Sequence, residues 1–162
     1  MAVRPVVRLP HPVLKQVAAG RGTTSLFEDL IDTMHASPAC VGLAANQLGV
    51  LARAFVVDVT GHSKTTTCHG LIAIVEPRIV QDEGRAIARE GCMSVPDLTA
   101  DVARASSIVV AGTSPDGRAL EISTDGFEAR AIQHEIDHLD GMLILDRVAS
   151  LATGVFRRKV YR

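Results

Sequence analysis

Three cysteines in 162 residues are too few, and odd in number, to make a disulfide framework. Cys40, Cys68 and Cys92 are therefore read as free thiols or metal ligands in a reducing compartment. The chain also lacks an excess of either charge. Its formal net charge of −1 leaves no global field for nucleic acid or an anionic membrane. No apolar run approaches bilayer length, and Met1-Ala2-Val3-Arg4-Pro5 has no apolar core of a signal peptide, so a cytoplasmic protein without a membrane partner is expected. Repeats, low-complexity tracts and linker-like stretches are missing too, which predicts a single domain over residues 1–162; a monomer is expected. The composition, 47% apolar and 22% charged, suits a globular chain able to bury a core. Basic residues gather only in Arg157-Arg158-Lys159 and Arg162, read as a solvated C-terminus.

Apolar residues at Leu26, Phe27, Leu30, Ile31 and Met34 predict a helix over 24–35, capped by Thr23, Thr24 or Ser25 and ended at Ser37-Pro38. Strands are predicted over 51–59, 71–80, 102–111 and 118–123. Pro77 marks an edge or bulge in the second, and Ser114-Pro115-Asp116-Gly117 turns the third into the fourth. Residues 61–70 form a polar loop, Asp82-Glu83-Gly84 a turn and residues 90–96 an irregular stretch, while 143–145 leave the last helix as a short apolar exit. That helix runs over 127–139, with Thr124 or Asp125 as cap and Asp140-Gly141 as stop. The order predicts an α+β fold of largely antiparallel sheets packed around a C-terminal helix, with an N-terminal helical segment.

The C-terminal helix carries His134-Glu135-Ile136-Asp137-His138, an H-E-x-x-H. Residues four apart share a helix face, so both imidazoles can reach one cation, and Glu135 beside them can take a proton from water activated there. Chance alone produces this pattern in fewer than about one chain in a hundred of this length. A third ligand is needed. The long H-E-x-x-H-x-x-G-x-x-H plan holds as far as Gly141 and then meets Ile144, which cannot bind a cation. A later glutamate is excluded because none follows His138. The remaining candidates are Asp146 and upstream residues: Cys40, Cys68, Cys92, His11, His35, His62, His69 and several carboxylates. His62, Cys68 and His69 fall in the polar loop and are expected at the surface, as is His35 at a helix end. Spacing does not choose among the rest.

Three stretches in fixed order resemble the peptide deformylase family: Cys40-Val41-Gly42-Leu43-Ala44-Ala45-Asn46-Gln47, then Glu90-Gly91-Cys92-Met93-Ser94, then Gln133-His134-Glu135-Ile136-Asp137-His138. They match G-x-G-x-A-A-x-Q, E-G-C-x-S and Q-H-E-x-D-H. The likeness covers almost the whole chain. It implies that Cys92, His134 and His138 hold one divalent metal, ferrous iron with zinc, nickel or cobalt as substitutes. Glu135 becomes the acid/base, with Gln47 and the Met93 backbone N–H as oxyanion donors. Cys40, Gly42, Leu43 and Gly91 become the substrate-lining residues. The implied substrate is the N-formylmethionyl end of nascent polypeptides, released as formate and a free amine, with a transient ribosome contact as a further implied partner.

The chain departs from the family pattern at three places. Cys40 replaces the first glycine, which suggests a narrowed cleft or altered acyl preference; a paralogue acting on another N-acyl group is the alternative enzyme reading. Glu76 stands before Pro77 where asparagine is common, and Asp97-Leu98-Thr99 lacks a basic residue that many members carry. A metal-dependent binding module, in which the ligands matter and Glu135 does not, is the non-enzymatic alternative.

Overall fold

The computed structural model describes residues 2–159. In chain order its elements are α1 (Thr24–Ala36), β1 (Gly42–Ala44), β2 (Ala54–Val57), β3 (Ile72–Glu83), β4 (Ala86–Cys92), β5 (Val95–Arg104), β6 (Ser107–Thr113), β7 (Ala119–Asp125), α2 (Gly126–Leu139), α3 (Ile144–Arg147) and β8 (Val155–Arg157), with 3-10 turns at Pro12–Lys15 and Ala45–Leu48. Both sheets are antiparallel: five strands in the order β1-β2-β3-β6-β7, and three in the order β4-β5-β8. This is the α+β architecture expected from the sequence.

β2 explains how the layers form. All four of its residues are buried, because alternate side chains serve opposite faces. Phe55 and Val57 join Ile74, Val110, Ile132 and Leu139 between the large sheet and α2. Ala54 and Val56 join Leu30, Met34, Leu43 and Val75 beneath α1. A third cluster, with Leu14, Val95, Val102 and Ile144, anchors the small sheet. α2 is thus held by the large sheet on one side and presents its other side toward β4 and β5.

Helix boundaries agree with the sequence reading at the start of α1 and the end of α2, whereas Asp125 takes the N-cap position of α2 without a side-chain capping bond. Thr23 Oγ1 accepts the Leu26 N–H at 3.2 Å, and Gly141 closes α2 by donating to the His138 carbonyl at 3.0 Å. Strand expectations need correction in several places. The apolar run 102–111 is two strands in two different sheets, because the chain crosses over at Ala105 and Ser106. The Gln133 side chain from α2 stands in for a missing strand there: its Oε1 accepts the Ala105 N–H and its Nε2 donates to the Ala105 carbonyl, both at 3.0 Å. Residues 90–96, expected to be irregular, form a hairpin in which Cys92 pairs with Val95 across Met93 and Ser94. Asp82 and Glu83 belong to β3, and residues 144–147 are a short helix, stapled by the Leu143 N–H to Asp146 Oδ2 at 2.8 Å. The tail folds back as β8, so it is not simply solvated; Arg162 lies outside the described residues.

Pro77 does mark a bulge, since the β3–β6 register shifts between Val75 and Arg78. Glu76 sits there with φ of 50°, in the left-handed region that asparagine tolerates better than glutamate. Glu76→Asn is expected to stabilise the protein by about 0.5 kcal/mol, or roughly 1–2 °C in melting temperature. An unchanged or lower melting temperature counts against strain at this residue.

Candidate metal centre

His134 and His138 project from adjacent turns of α2, and Cys92 enters from the end of β4. Their ligand atoms all lie within 4.8 Å of one another. Cys92 Sγ is 3.3 Å from His138 Nε2. Among the described residues this is the one grouping of three potential metal donors found. One thiolate and two imidazoles form a donor set that fits a single divalent ion of intermediate softness and leaves further coordination positions open.

Each potential ligand is prepared by its surroundings. Burial alone pushes the Cys92 thiol up, but the imidazoles beside it, His138 foremost, hold its pKa well below the ordinary thiol value. Burial also disfavours charge on His134. Hydrogen bonds to Cys92 and Glu90 nevertheless raise its pKa well above the usual histidine value. His134 Nδ1 lies 2.9 Å from Glu90 Oε1. An ionised carboxylate only accepts, so Nδ1 carries the hydrogen and Nε2 is left for a cation. Asn46 Nδ2 donates to the His138 carbonyl, fixing the end of α2.

Glu90 is itself held by a buried network. Arg104 donates to both its oxygens, at 2.6 and 2.9 Å, and Arg130 Nη1 adds a bond of 2.6 Å. Arg104 Nη1 continues to Asp137 Oδ2 at 2.8 Å, and Arg147 grips the same carboxylate at 2.7 and 3.0 Å. Sequence reasoning assigned no role to Glu90, Arg104, Asp137 or Ser94. The signal was present in part, since Glu90, Ser94 and Asp137 are fixed letters of the matched motifs.

Glu135 stands beside the ligands, 4% exposed, and its Oε2 has no hydrogen-bond partner. Burial raises its pKa above the usual carboxyl value, against the pull of His138 and His134. Gly42 makes room for it: a Cβ on residue 42 would come within 2.7 Å of Glu135 Oε1. Gln47 Oε1 accepts the Ala44 N–H at 3.0 Å, which turns Nε2 toward Ser94 Oγ at 3.1 Å and Cys92 Sγ at 3.8 Å.

These groups open onto a cleft of about 560 Å³ lined by Cys40, Gly42, Gln47, Gly91, Cys92, Met93, His134 and Glu135, among others. The structure therefore brings together all the residues singled out from sequence except Leu43. That side chain is fully buried beneath α1 and does not line the cleft. His62, expected at the surface, is half-buried, stacks on Phe127 at 4.3 Å and lines the cleft. Two other third-ligand candidates are engaged elsewhere. Asp146 pairs with Lys15 at 2.5 Å, and His11 caps the turn at Val13.

Cys40 lies on the cleft wall but not in the left-handed region; its neighbour Ala39, with φ of 58°, takes that conformation. Burial, then the Glu135 charge, raises the Cys40 pKa to about 12, so the thiol stays protonated and donates to the Gly42 carbonyl at 3.2 Å. It thereby shapes the cleft without competing as a thiolate ligand. Cys40→Gly is expected to shift KM by about three- to tenfold across a panel of the formyl peptides that the resemblance implies, the worth of one hydrogen bond and its packing. Unchanged kinetics across the panel would remove Cys40 from the specificity determinants.

A mixed α+β scaffold, an H-E-x-x-H helix, a cysteine delivered by a hairpin and a buried carboxylate together have the makings of a mononuclear metal hydrolase. The polypeptide deformylase family model matches residues 3–153. Similar proteins include the peptide deformylase of Halothermothrix orenii, 41% identical over 93% of this chain and 97% of the relative. That of Syntrophobacter fumaroxidans is 38% identical over 98% of this chain and 94% of the relative. The crystal structure of a peptide deformylase from Legionella pneumophila superposes with a TM-score of 0.82 at 37% identity, covering 93% of this chain and 88% of that one. The chain belongs to the polypeptide deformylase family.

Proposed function

We propose that this chain, acting as one catalytic domain, removes the N-formyl group from formylmethionyl peptides with Cys92, His134 and His138 holding a single divalent ion. Ferrous iron is the proposed native ion, and the donor set also suits zinc, nickel or cobalt. The observation that carries this reading is the buried Glu135 carboxyl group, its Oε2 without a partner, beside the three donors. A binding module has no use for a buried carboxyl group in that position.

An ion bound there supplies a Lewis acid that acidifies water and polarises a carbonyl. Glu135 takes the proton of the attacking water and passes it to the departing nitrogen, for which a raised pKa is suited. Gln47 Nε2 and the Met93 backbone N–H donate to the oxygen on which charge develops; one such donor is worth about 3 kcal/mol. β1 is the outer strand of its sheet and borders the cleft, so an extended peptide can lie along it.

Among the described residues no helix is long and apolar enough to cross a membrane. The proposal places the enzyme in the cytoplasm as a monomer, meeting its substrate in transient contact with the ribosome. The basic tail is not assigned to that contact, since Arg158 is turned into the cleft. Anaerobic purification with metal analysis and a formate-release assay on a formylmethionyl tripeptide tests the reading. Stoichiometric metal and formate release are expected. Metal-loaded protein inert on several formyl peptides overturns it, and preference for an acetyl peptide would favour the N-acyl alternative that Cys40 motivates.

A further inference from the structure

The cleft has two walls of different origin. One comes from α2 and the β1 side of the large sheet, the other from β4, the hairpin turn and Arg158 beyond the last strand. Arg158 is held at its backbone and at one end of its side chain. Its N–H donates to the Asp97 carbonyl at 2.9 Å, continuing the pairing of Arg157 with Leu98, and Nη2 donates to the Cys92 carbonyl at 3.2 Å. Gly91 leaves the space it occupies: a Cβ there would lie 2.7 Å from Nη2. The strand below is fastened by Arg89, whose guanidinium stacks 3.5 Å over the Phe156 ring.

Arg158 Nε is nevertheless buried without any acceptor. Nη1 also makes no hydrogen bond and is the nitrogen left accessible where Arg158 lines the cleft, so an oxygen brought by a ligand there can pair with it. Charge points the same way. Of the two cleft carboxylates, Glu90 is already bound by Arg104, Arg130 and His134, and Glu135 makes no hydrogen bond to Arg158, so neither satisfies it. We propose that Arg158 is a specificity-determining residue that donates to an oxygen of the peptide beyond the formylmethionine, on the wall opposite β1. This rests on the deformylase reading above. A cationic donor there favours an acidic side chain after the methionine and is indifferent to substrates that end at it.

The test compares wild type, Arg158→Ala and Arg158→Lys on three substrates: formylmethionine amide, and formyl tripeptides with glutamate or with lysine at the second position. Wild type is expected to show a several-fold lower KM for the glutamate peptide than for the lysine peptide. Arg158→Ala is expected to raise KM for the glutamate peptide about tenfold, with kcat within about twofold and formylmethionine amide unaffected. Arg158→Lys recovers part of the charge preference. Metal content and melting temperature are read on each variant. An equal loss on all three substrates, or lost metal, means that Arg158 only supports the Cys92 carbonyl, and the proposal falls. It also falls if wild type shows no second-position preference, which keeps it testable should the variants not fold. If wild type releases formate from none of the substrates, it is the underlying function that has failed.

Discussion

Glu135→Gln is expected to lower formate release by about a thousandfold while leaving metal content intact, within the range that general acid–base groups supply. Glutamine has the same shape, so the close fit against Gly42 survives. The three donors are other residues, so metal retention is the control that separates chemistry from assembly. Burial raises the Glu135 pKa, so with Glu135 as the proposed proton acceptor its ionisation falls on the acid side of the activity profile. Wild-type kcat/KM should therefore rise with pH through that ionisation, and the residual activity of Glu135→Gln should lose the limb. The same shift fixes the sign for stability. A carboxyl whose folded pKa is raised gives stability below its unfolded pKa and loses it as pH rises through the folded value. At neutral pH the metal-free Glu135→Gln protein should thus be at least as stable as wild type. Retained turnover within a factor of ten would remove Glu135 from the proton path.

The candidate metal donors are more legible in the sequence than the frame that aims them. H-E-x-x-H is local: four residues of helix put both imidazoles on one face wherever the helix packs. Cys92 is not local. Gly91, Ser94 and Pro96 read as loop punctuation, whereas the stretch is the tip of a hairpin whose strands are paired through to Arg104. The break between β5 and β6 was invisible because apolar residues run on across it. What ends β5 is the ion pairing of Arg104 with Glu90 and Asp137, 14 and 33 residues away, together with the Gln133 clamp on Ala105. Such contacts leave no periodic trace. The motif letters did record them, as a glutamate before the cysteine and an aspartate before the second histidine. Arg158 had no such trace, since a short basic run near a chain end carries the same composition whether it is solvated or folded into a cleft.

Arg104→Leu is expected to destabilise the protein by about 3 kcal/mol, toward the lower end of the range for breaking a buried ion pair. Arg104 is 4% exposed and ties two buried carboxylates together. Removing it strands charge on both, although Arg130 still reaches Glu90 and Arg147 still reaches Asp137. Those remaining partners are why the cost stays at the low end. Burial by itself would raise the Glu90 pKa, but the His134 and Arg104 contacts reverse this and hold it well below the usual carboxylate range. A carboxylate depressed in this way contributes stability above its unfolded pKa of about 4.3, and that contribution is lost as pH falls through the lower folded value. Without Arg104 the depression shrinks, so acid unfolding should begin at higher pH in the variant. The metal site should suffer as well, because Glu90 orients His134; loss of such support typically costs about 10- to 100-fold in affinity. Urea unfolding of the metal-free proteins at pH 7 and between roughly pH 5 and 3 reads the first two effects. Competition with a chelator reads the third. A variant with wild-type unfolding and wild-type metal affinity would show that the network fills space between α2 and the small sheet without aiming His134.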